Sequence, residues 1–266
     1  MNNYEKLEGM VAATFTPLDE NGDVNLSVID KYADWIASTP IKGVFVCGTT
    51  GEFSSLTIDE RKLILEKWLV SARKRFKVIA HVGSNCQRSA MELARHAAQV
   101  GADAIASIAP SFFKPGTVDE LVDFFAPICH SAAGLPFYYY NMPSITGVNL
   151  PVDKFLVEGK KKIPNLVGTK FTHNNLMEMG VCIELEQHRF EVLHGYDEIL
   201  ISGLAMGAVA GVGSTYNYIP NVYQAIFDSM KMNDLETARH NQIKSIRTVE
   251  VIIKYGGGVR GGKAIM

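Results

Sequence analysis

The chain has 266 residues, 47% of them hydrophobic, which is enough for one large domain with a substantial core, in the size range of closed α/β barrels. Its 26 basic and 28 acidic residues nearly cancel and gather into no long run of one sign, which argues against nucleic acid as a partner. The start Met1-Asn2-Asn3-Tyr4-Glu5 has no basic-then-apolar leader pattern, and the apolar stretch around Leu204 to Val212 is too short to cross a bilayer; a soluble, cytoplasmic protein without a membrane partner is expected.

In chain order, β-branched and aromatic runs predict a strand at 11–16, then amphipathic spacing predicts a helix at 26–38. A strand at 43–46 leads through Gly48-Thr-Thr-Gly-Glu52 to a helix at 57–75, and a strand at 77–82 leads to a helix at 89–100. The alternation continues with strand 102–108 and helix 118–132, strand 136–140 and helix 153–157, strand 166–171 and helix 176–186. Strand 191–193 with helix 198–206 and strand 208–212 with helix 218–230 complete eight units. Thr57-Ile-Asp-Glu60 and Thr117-Val-Asp-Glu120 read as capping boxes, with the threonine hydroxyl and the glutamate carboxylate satisfying amides of the first turn. Strands too apolar to face water, each followed by a helix, predict a parallel sheet, and eight units favour closure into a (β/α)8 TIM barrel. A further helix at 235–255 reads as an appendage, after which Gly256, Gly257, Gly258, Gly261 and Gly262 break the pattern. The expected division is a barrel over residues 7–230 and a helical extension over 231–266.

Such barrels carry their chemistry at the C-terminal ends of the strands. Lys170, in Leu166-Val-Gly-Thr-Lys-Phe-Thr172, shares one strand face with Gly168 and Thr172. A lysine held inside a barrel is desolvated, which favours the neutral amine that attacks a ketone, and Gly168 beside it would leave room for substrate. The bland alternative is a strand-end lysine that snorkels to solvent. Phe137-Tyr-Tyr-Tyr-Asn-Met-Pro143 offers Tyr140 as a phenol able to relay protons; Tyr138 and Tyr139 read as core packing. In Gly48-Thr-Thr-Gly-Glu52, backbone amides and the hydroxyls of Thr49 and Thr50 suit a carboxylate, although the same residues could simply make a turn. His194-Gly-Tyr-Asp-Glu198 is polar where a polyhydroxylated substrate could bind, and equally acidic where a helix begins. Gly211-Val-Gly-Ser-Thr-Tyr216 lacks the third glycine of a dinucleotide fingerprint, so NAD binding is rejected. The seven histidines form no H-x-H or H-x-x-x-H pair, and a lysine route needs neither metal nor other cofactor. Cys47, Cys86, Cys129 and Cys182 form no C-x-x-C pair and are expected as buried free thiols.

Taken together, Gly48-Thr-Thr-Gly-Glu52, Tyr140-Asn-Met-Pro143, Gly168-Thr-Lys-Phe-Thr172 and Gly213-Ser-Thr-Tyr-Asn217 resemble the N-acetylneuraminate lyase and dihydrodipicolinate synthase family of class I aldolases, across nearly the whole chain. The resemblance implies that Lys170 forms a Schiff base with a 2-keto acid, that Tyr140 shuttles protons, and that Thr49 with Thr50 binds the keto-acid carboxylate. Synthases usually carry an arginine where Ile145 stands, whereas Lys170-Phe-Thr172 and Gly195-Tyr-Asp-Glu198 follow the sialate-lyase branch. By that resemblance Thr172, Gly195, Asp197, Glu198 and Ser214 contact the sugar chain, and the reaction is cleavage of N-acetylneuraminate to N-acetylmannosamine and pyruvate. The same resemblance implies a homotetramer. Two departures stand out: Ala109-Pro-Ser-Phe-Phe-Lys114 offers only phenylalanines where many relatives bring a tyrosine across a subunit interface, and relatives continue into further C-terminal helices, so the extension is expected to be shortened. Alternatives are another pyruvate-dependent sugar-acid aldolase, a synthase-like enzyme, or a non-catalytic sugar-acid binder.

Overall fold

The computed structural model describes residues 4–266. Eight strands, β1 (Gly9–Ala13), β2 (Gly43–Val46), β3 (Lys77–His81), β4 (Ala104–Ile108), β5 (Phe137–Asn141), β6 (Leu166–Phe171), β7 (Glu191–His194) and β8 (Ala210–Gly213), pair in parallel in chain order and close into a barrel. The closing pair is β1 with β8, in register from Gly9 opposite Ala210 to Ala12 opposite Gly213. Alternation along each strand divides the apolar residues between two cores. Phe45, Ala106, Tyr138, Tyr140 and Leu193 fill the barrel, while Met10, Val44, Phe137, Tyr139 and Phe171 pack outward against helices. Tyr139 meets Phe125 and Phe155 in that outer layer while Tyr138 lies inside the barrel, so the two tyrosines expected as core occupy two compartments.

The floor of the barrel is polar but satisfied. Glu191 accepts from the Leu7 amide at 2.8 Å and the Tyr138 hydroxyl at 3.0 Å, and Tyr4 bonds the same hydroxyl. Burial raises the Glu191 carboxyl above the usual carboxylate range. That closed end leaves the other end of the barrel for a ligand.

The helical layer runs α1 (Val28–Ala37), α2 (Ile58–Ala72), α3 (Gln87–Val100), α4 (Val118–His130), α5 (Pro143–Thr146), α6 (Val152–Lys162), α7 (Leu176–Glu184), α8 (Leu200–Ala205), α9 (Pro220–Lys231), α10 (Leu235–Lys254) and α11 (Gly258–Ile265). Several boundaries differ from expectation for physical reasons. The first strand ends at Ala13, three residues early, and α9 starts at Pro220 because proline, lacking an amide hydrogen, suits a first helical turn. The sixth helix extends to Lys162, its three terminal lysines complementing the C-terminal dipole. Thr57 and Glu60 form the full reciprocal box; Thr117 accepts from the Glu120 amide, but the Glu120 carboxylate accepts from Gly116 instead, so that box is half formed. Cys47, Cys129 and Cys182 are buried free thiols, whereas Cys86 is exposed, being the residue that caps α3.

The C-terminal helices are more than an appendage. The glycine-broken segment forms α11, in which Gly262 lies so close to the Phe15 ring that a side chain there would overlap it. Gln242 of α10 donates to the Asp197 carbonyl at 3.0 Å and accepts from the Ile201 amide at 2.9 Å. Lys263 of α11 pairs with Glu52. Among the described residues no helix is long and apolar enough to cross a membrane.

Candidate active site

At the C-terminal ends of the strands a cavity of about 170 Å³ is lined by all nine residues singled out in the sequence: Thr49, Thr50, Tyr140, Lys170, Thr172, Gly195, Asp197, Glu198 and Ser214. Ala13, Met142, Tyr196 and Val212 complete its wall. A larger cavity of about 1080 Å³ lies at the opposite end, beside Lys42, Lys77 and Asp103, where barrels of this type place stability rather than chemistry.

Lys170 is 4% exposed. It projects from β6 into the barrel, with Nζ 4.0 Å from the centre of the Tyr140 ring and 4.3 Å from that of Phe45. Gly168, expected to make space for substrate, does something else: a side chain at that position would overlap the Glu191 carbonyl, so its smallness allows β7 to approach β6. The Tyr140 hydroxyl sits 3.2 Å from Thr49 Oγ1 and 3.0 Å from the Met142 sulfur, so phenol and turn are in direct contact.

The turn after β2 is built from strained backbone. Cys47 and Glu52, at its two ends, adopt φ of +54° and +56°, left-handed values uncommon for residues with side chains. Between them Glu52 N donates to Thr49 O at 3.0 Å and Phe53 N to Gly48 O at 3.3 Å. Among the described residues nothing in the chain accepts from the amides of Thr49 and Thr50. Two such amides beside two hydroxyls make a preformed anion cradle.

Across the cavity, Asp197 is 5% exposed and accepts from Thr215 N at 2.9 Å and Thr215 Oγ1 at 2.6 Å. Burial pushes its carboxyl up to about 6, against the opposing pull of the Thr215 bonds; nearby Glu198 raises it further and Lys170 lowers it. Thr172 is buried with Oγ1 lacking a partner, and a side chain at Gly195 would overlap that hydroxyl. A buried hydroxyl without a partner in a cavity wall is a place where a ligand hydroxyl completes the bonding. The geometry therefore combines an amine for a carbonyl, a phenol for a proton, an anion cradle and a polar wall for a chain of hydroxyls.

His194 does not join the cavity: it is buried in the outer layer against Gly203, and burial lowers it to about 4. Met142 and Tyr196 lie within the 137–143 and 194–198 segments but carry no distinguishing signal in the sequence. Gln242 and Lys263, which brace the loops bearing Asp197 and Glu52, lie 45 residues or more away along the chain, beyond any local pattern.

The model of a family described as the dihydrodipicolinate synthetase family matches residues 6–263. The N-acetylneuraminate lyase of Mus musculus is 43% identical over 265 residues, covering 98% of this chain and 83% of the relative. Among solved structures, the Proteus mirabilis N-acetylneuraminate lyase superposes with a TM-score of 0.96 at 36% identity, covering 98% of this chain and 88% of that one. The N-acetylneuraminate lyase, or sialic acid aldolase, from Aliivibrio salmonicida superposes with a TM-score of 0.93 at 37% identity, covering 96% and 84%.

Proposed function

The chain belongs to the dihydrodipicolinate synthetase family, and from that premise we propose a Schiff-base lyase that cleaves N-acetylneuraminate to N-acetylmannosamine and pyruvate. The observation that carries the assignment of roles is the convergence of Lys170, Tyr140, the Thr49–Thr50 cradle and the Thr172–Asp197–Glu198 wall on one cavity.

In this reading the sugar acid enters in its open form, with its carboxylate on the amides and hydroxyls of Thr49 and Thr50. That contact fixes the C2 ketone beside Nζ of Lys170, converting a bimolecular encounter into a positioned one. The unprotonated amine adds to C2, water leaves, and an iminium forms that serves as the electron sink. Tyr140 takes the proton of the C4 hydroxyl as the bond between C3 and C4 breaks, releasing N-acetylmannosamine as its aldehyde. The enamine left on Lys170 is protonated at C3 and hydrolysed to pyruvate, which restores the amine. Thr172, Gly195, Asp197, Glu198 and Ser214 hold the hydroxylated chain; Asp197, ionised above about 6, already accepts from the amide and hydroxyl of Thr215 and has acceptor capacity left for the sugar. Ile145 is exposed on α5, so the synthase-like alternative lacks its arginine. By family resemblance the enzyme is also proposed to be a homotetramer, and from its sequence to be cytoplasmic; the exposed Phe112 and Phe113 after β4 supply apolar surface.

Incubation with pyruvate and borohydride should add a reduced adduct to Lys170, and release of pyruvate from N-acetylneuraminate should saturate with substrate. A mass spectrum without the adduct would sink the mechanism. Turnover of a different sugar acid alone would reassign the substrate, and binding without turnover would favour a non-catalytic relative. Light scattering of the eluted protein reads the oligomer.

A further inference from the structure

Beneath the Thr49–Thr50 cradle lies a buried ring that the chemistry above does not use. His81, the last residue of β3, is 3% exposed, and its Nδ1 lies 2.8 Å from the carbonyl oxygen of Cys47. A carbonyl only accepts, so Nδ1 carries the hydrogen and donates. Burial, and next the neighbouring Arg61 cation, hold this imidazole well below the usual histidine range, so the ring is neutral and its tautomer is set by that bond.

The acceptor is not an ordinary carbonyl. Cys47 immediately precedes Gly48 and carries the left-handed backbone, φ +54°, that swings the chain from β2 into the cradle. Such a conformation persists in a residue with a side chain only where its surroundings over-determine it. The ring that donates is itself fixed: it meets Phe53 edge-on at 4.5 Å and Tyr140 edge-on at 5.9 Å. One imidazole therefore touches both the residue that starts the cradle and the phenol.

The strand end that bears His81 is pinned in turn. Arg61 of α2, 4% exposed, donates to the carbonyls of His81 at 2.7 Å and Gly83 at 2.9 Å and lies 5.4 Å from the centre of the Phe53 ring. Among the described residues no carboxylate pairs with it. A buried guanidinium spent on two main-chain carbonyls is a clamp on backbone geometry.

Resting on the lyase reading, we propose that His81 is a positioning residue that aims the Thr49–Thr50 cradle and seats Tyr140, with Arg61 locking the strand end that carries it. It touches no substrate; it acts through Cys47 and Tyr140.

The test uses the full chain and pyruvate. His81→Phe keeps a ring but removes the donor, and His81→Asn returns an N–H near the place of Nδ1. With His81→Phe, the pyruvate concentration that half-saturates borohydride trapping on Lys170 should rise roughly tenfold, the scale of one lost hydrogen bond, and His81→Asn should recover most of it. An untrapped wild type overturns the lyase reading, and this inference falls with it. A trapped wild type with unshifted His81→Phe overturns the inference alone, as does failure of His81→Asn to recover when both variants fold. Should the variants not fold, ¹⁵N spectra of histidine-labelled wild type decide: a neutral ring protonated on Nδ1 supports the proposal, and one protonated on Nε2 overturns it.

Discussion

Tyr140 stands opposite Lys170 across β5 and β6 because the register of the two strands slips between Phe137 and Tyr138, two residues of β6 spanning one of β5. An unbroken ladder from the pair Phe137 and Leu166 would set Thr169 there instead. The irregularity keeps phenol and amine on the same inner face at the same height, as bulges beside functional sites commonly do.

Lys170→Ala should abolish both pyruvate trapping and turnover. Tyr140→Phe should still form the adduct while turnover falls roughly 100- to 10,000-fold, the usual contribution of a general acid–base. Equal loss of trapping and turnover in Tyr140→Phe would show that the phenol serves imine formation rather than cleavage.

If Asp197 belongs to the sugar-binding wall as proposed, kcat/KM for the sugar acid should depend on pH. Its carboxyl titrates at about 6, and protonation removes an acceptor for sugar hydroxyls, so kcat/KM should fall as pH drops below that value. Asp197→Asn should be weaker at neutral pH and flatter across this range. A wild-type profile level down to pH 5 would remove Asp197 from the binding wall.

Stability should follow two opposing titrations. Asp197 is raised from 3.8 to about 6, so its contribution is fully present below pH 3.8 and is lost as pH rises through about 6. His194 is lowered from 6.5 to about 4, so its contribution is present above pH 6.5 and lost as pH falls through about 4. Each amounts to about 3 kcal/mol, and they offset one another between the two limits. Urea unfolding of Asp197→Asn should therefore lose stability more steeply than wild type as pH is lowered from 6.5 to 4. Parallel curves would mean that burial does not govern these groups.

Gly195→Ala and Gly168→Ala should separate binding from folding. The first places a methyl on the Thr172 hydroxyl, which should raise KM for the sugar acid more than tenfold with little change in pyruvate trapping. The second places a methyl on the Glu191 carbonyl, forcing β6 from β7 at a cost of about 1–3 kcal/mol, readable in the unfolding midpoint.

Gln242→Leu removes the donor to the Asp197 carbonyl and the acceptor for the Ile201 amide. Leaving the buried Asp197 carbonyl and the part-buried Ile201 amide without partners should cost about 1–3 kcal/mol in urea unfolding and raise KM for the sugar acid while leaving pyruvate trapping intact. A KM equal to wild type would make α10 a support for stability alone.

Much of this architecture was legible because its signals are local. Strand alternation puts Lys170 with Thr172, and the motifs at the ends of β2, β5, β6, β7 and β8 supply all nine candidate residues that line the cavity. What local signals missed has a common character. Glycines at 256–262 read as a break, yet α11 forms because Gly261 and Gly262 let it press against Ile252 and Phe15. Gly168 read as room for a ligand, yet it answers to a neighbouring strand. Residues on α10 and α11 carry no motif pointing to the loops they brace.

By itself the sequence determined the eight βα units, the faces of each strand and the reactive side chains at strand ends, because periodicity and turn chemistry act between residues a few positions apart. Only the tertiary structure decided that Lys170 faces Tyr140 rather than Thr169 doing so, that His81 bonds the strained Cys47, and that Gln242 holds the Asp197 loop. Those relationships depend on register and close packing between segments far apart in the chain, where a slip of one residue changes the partner without altering any local preference.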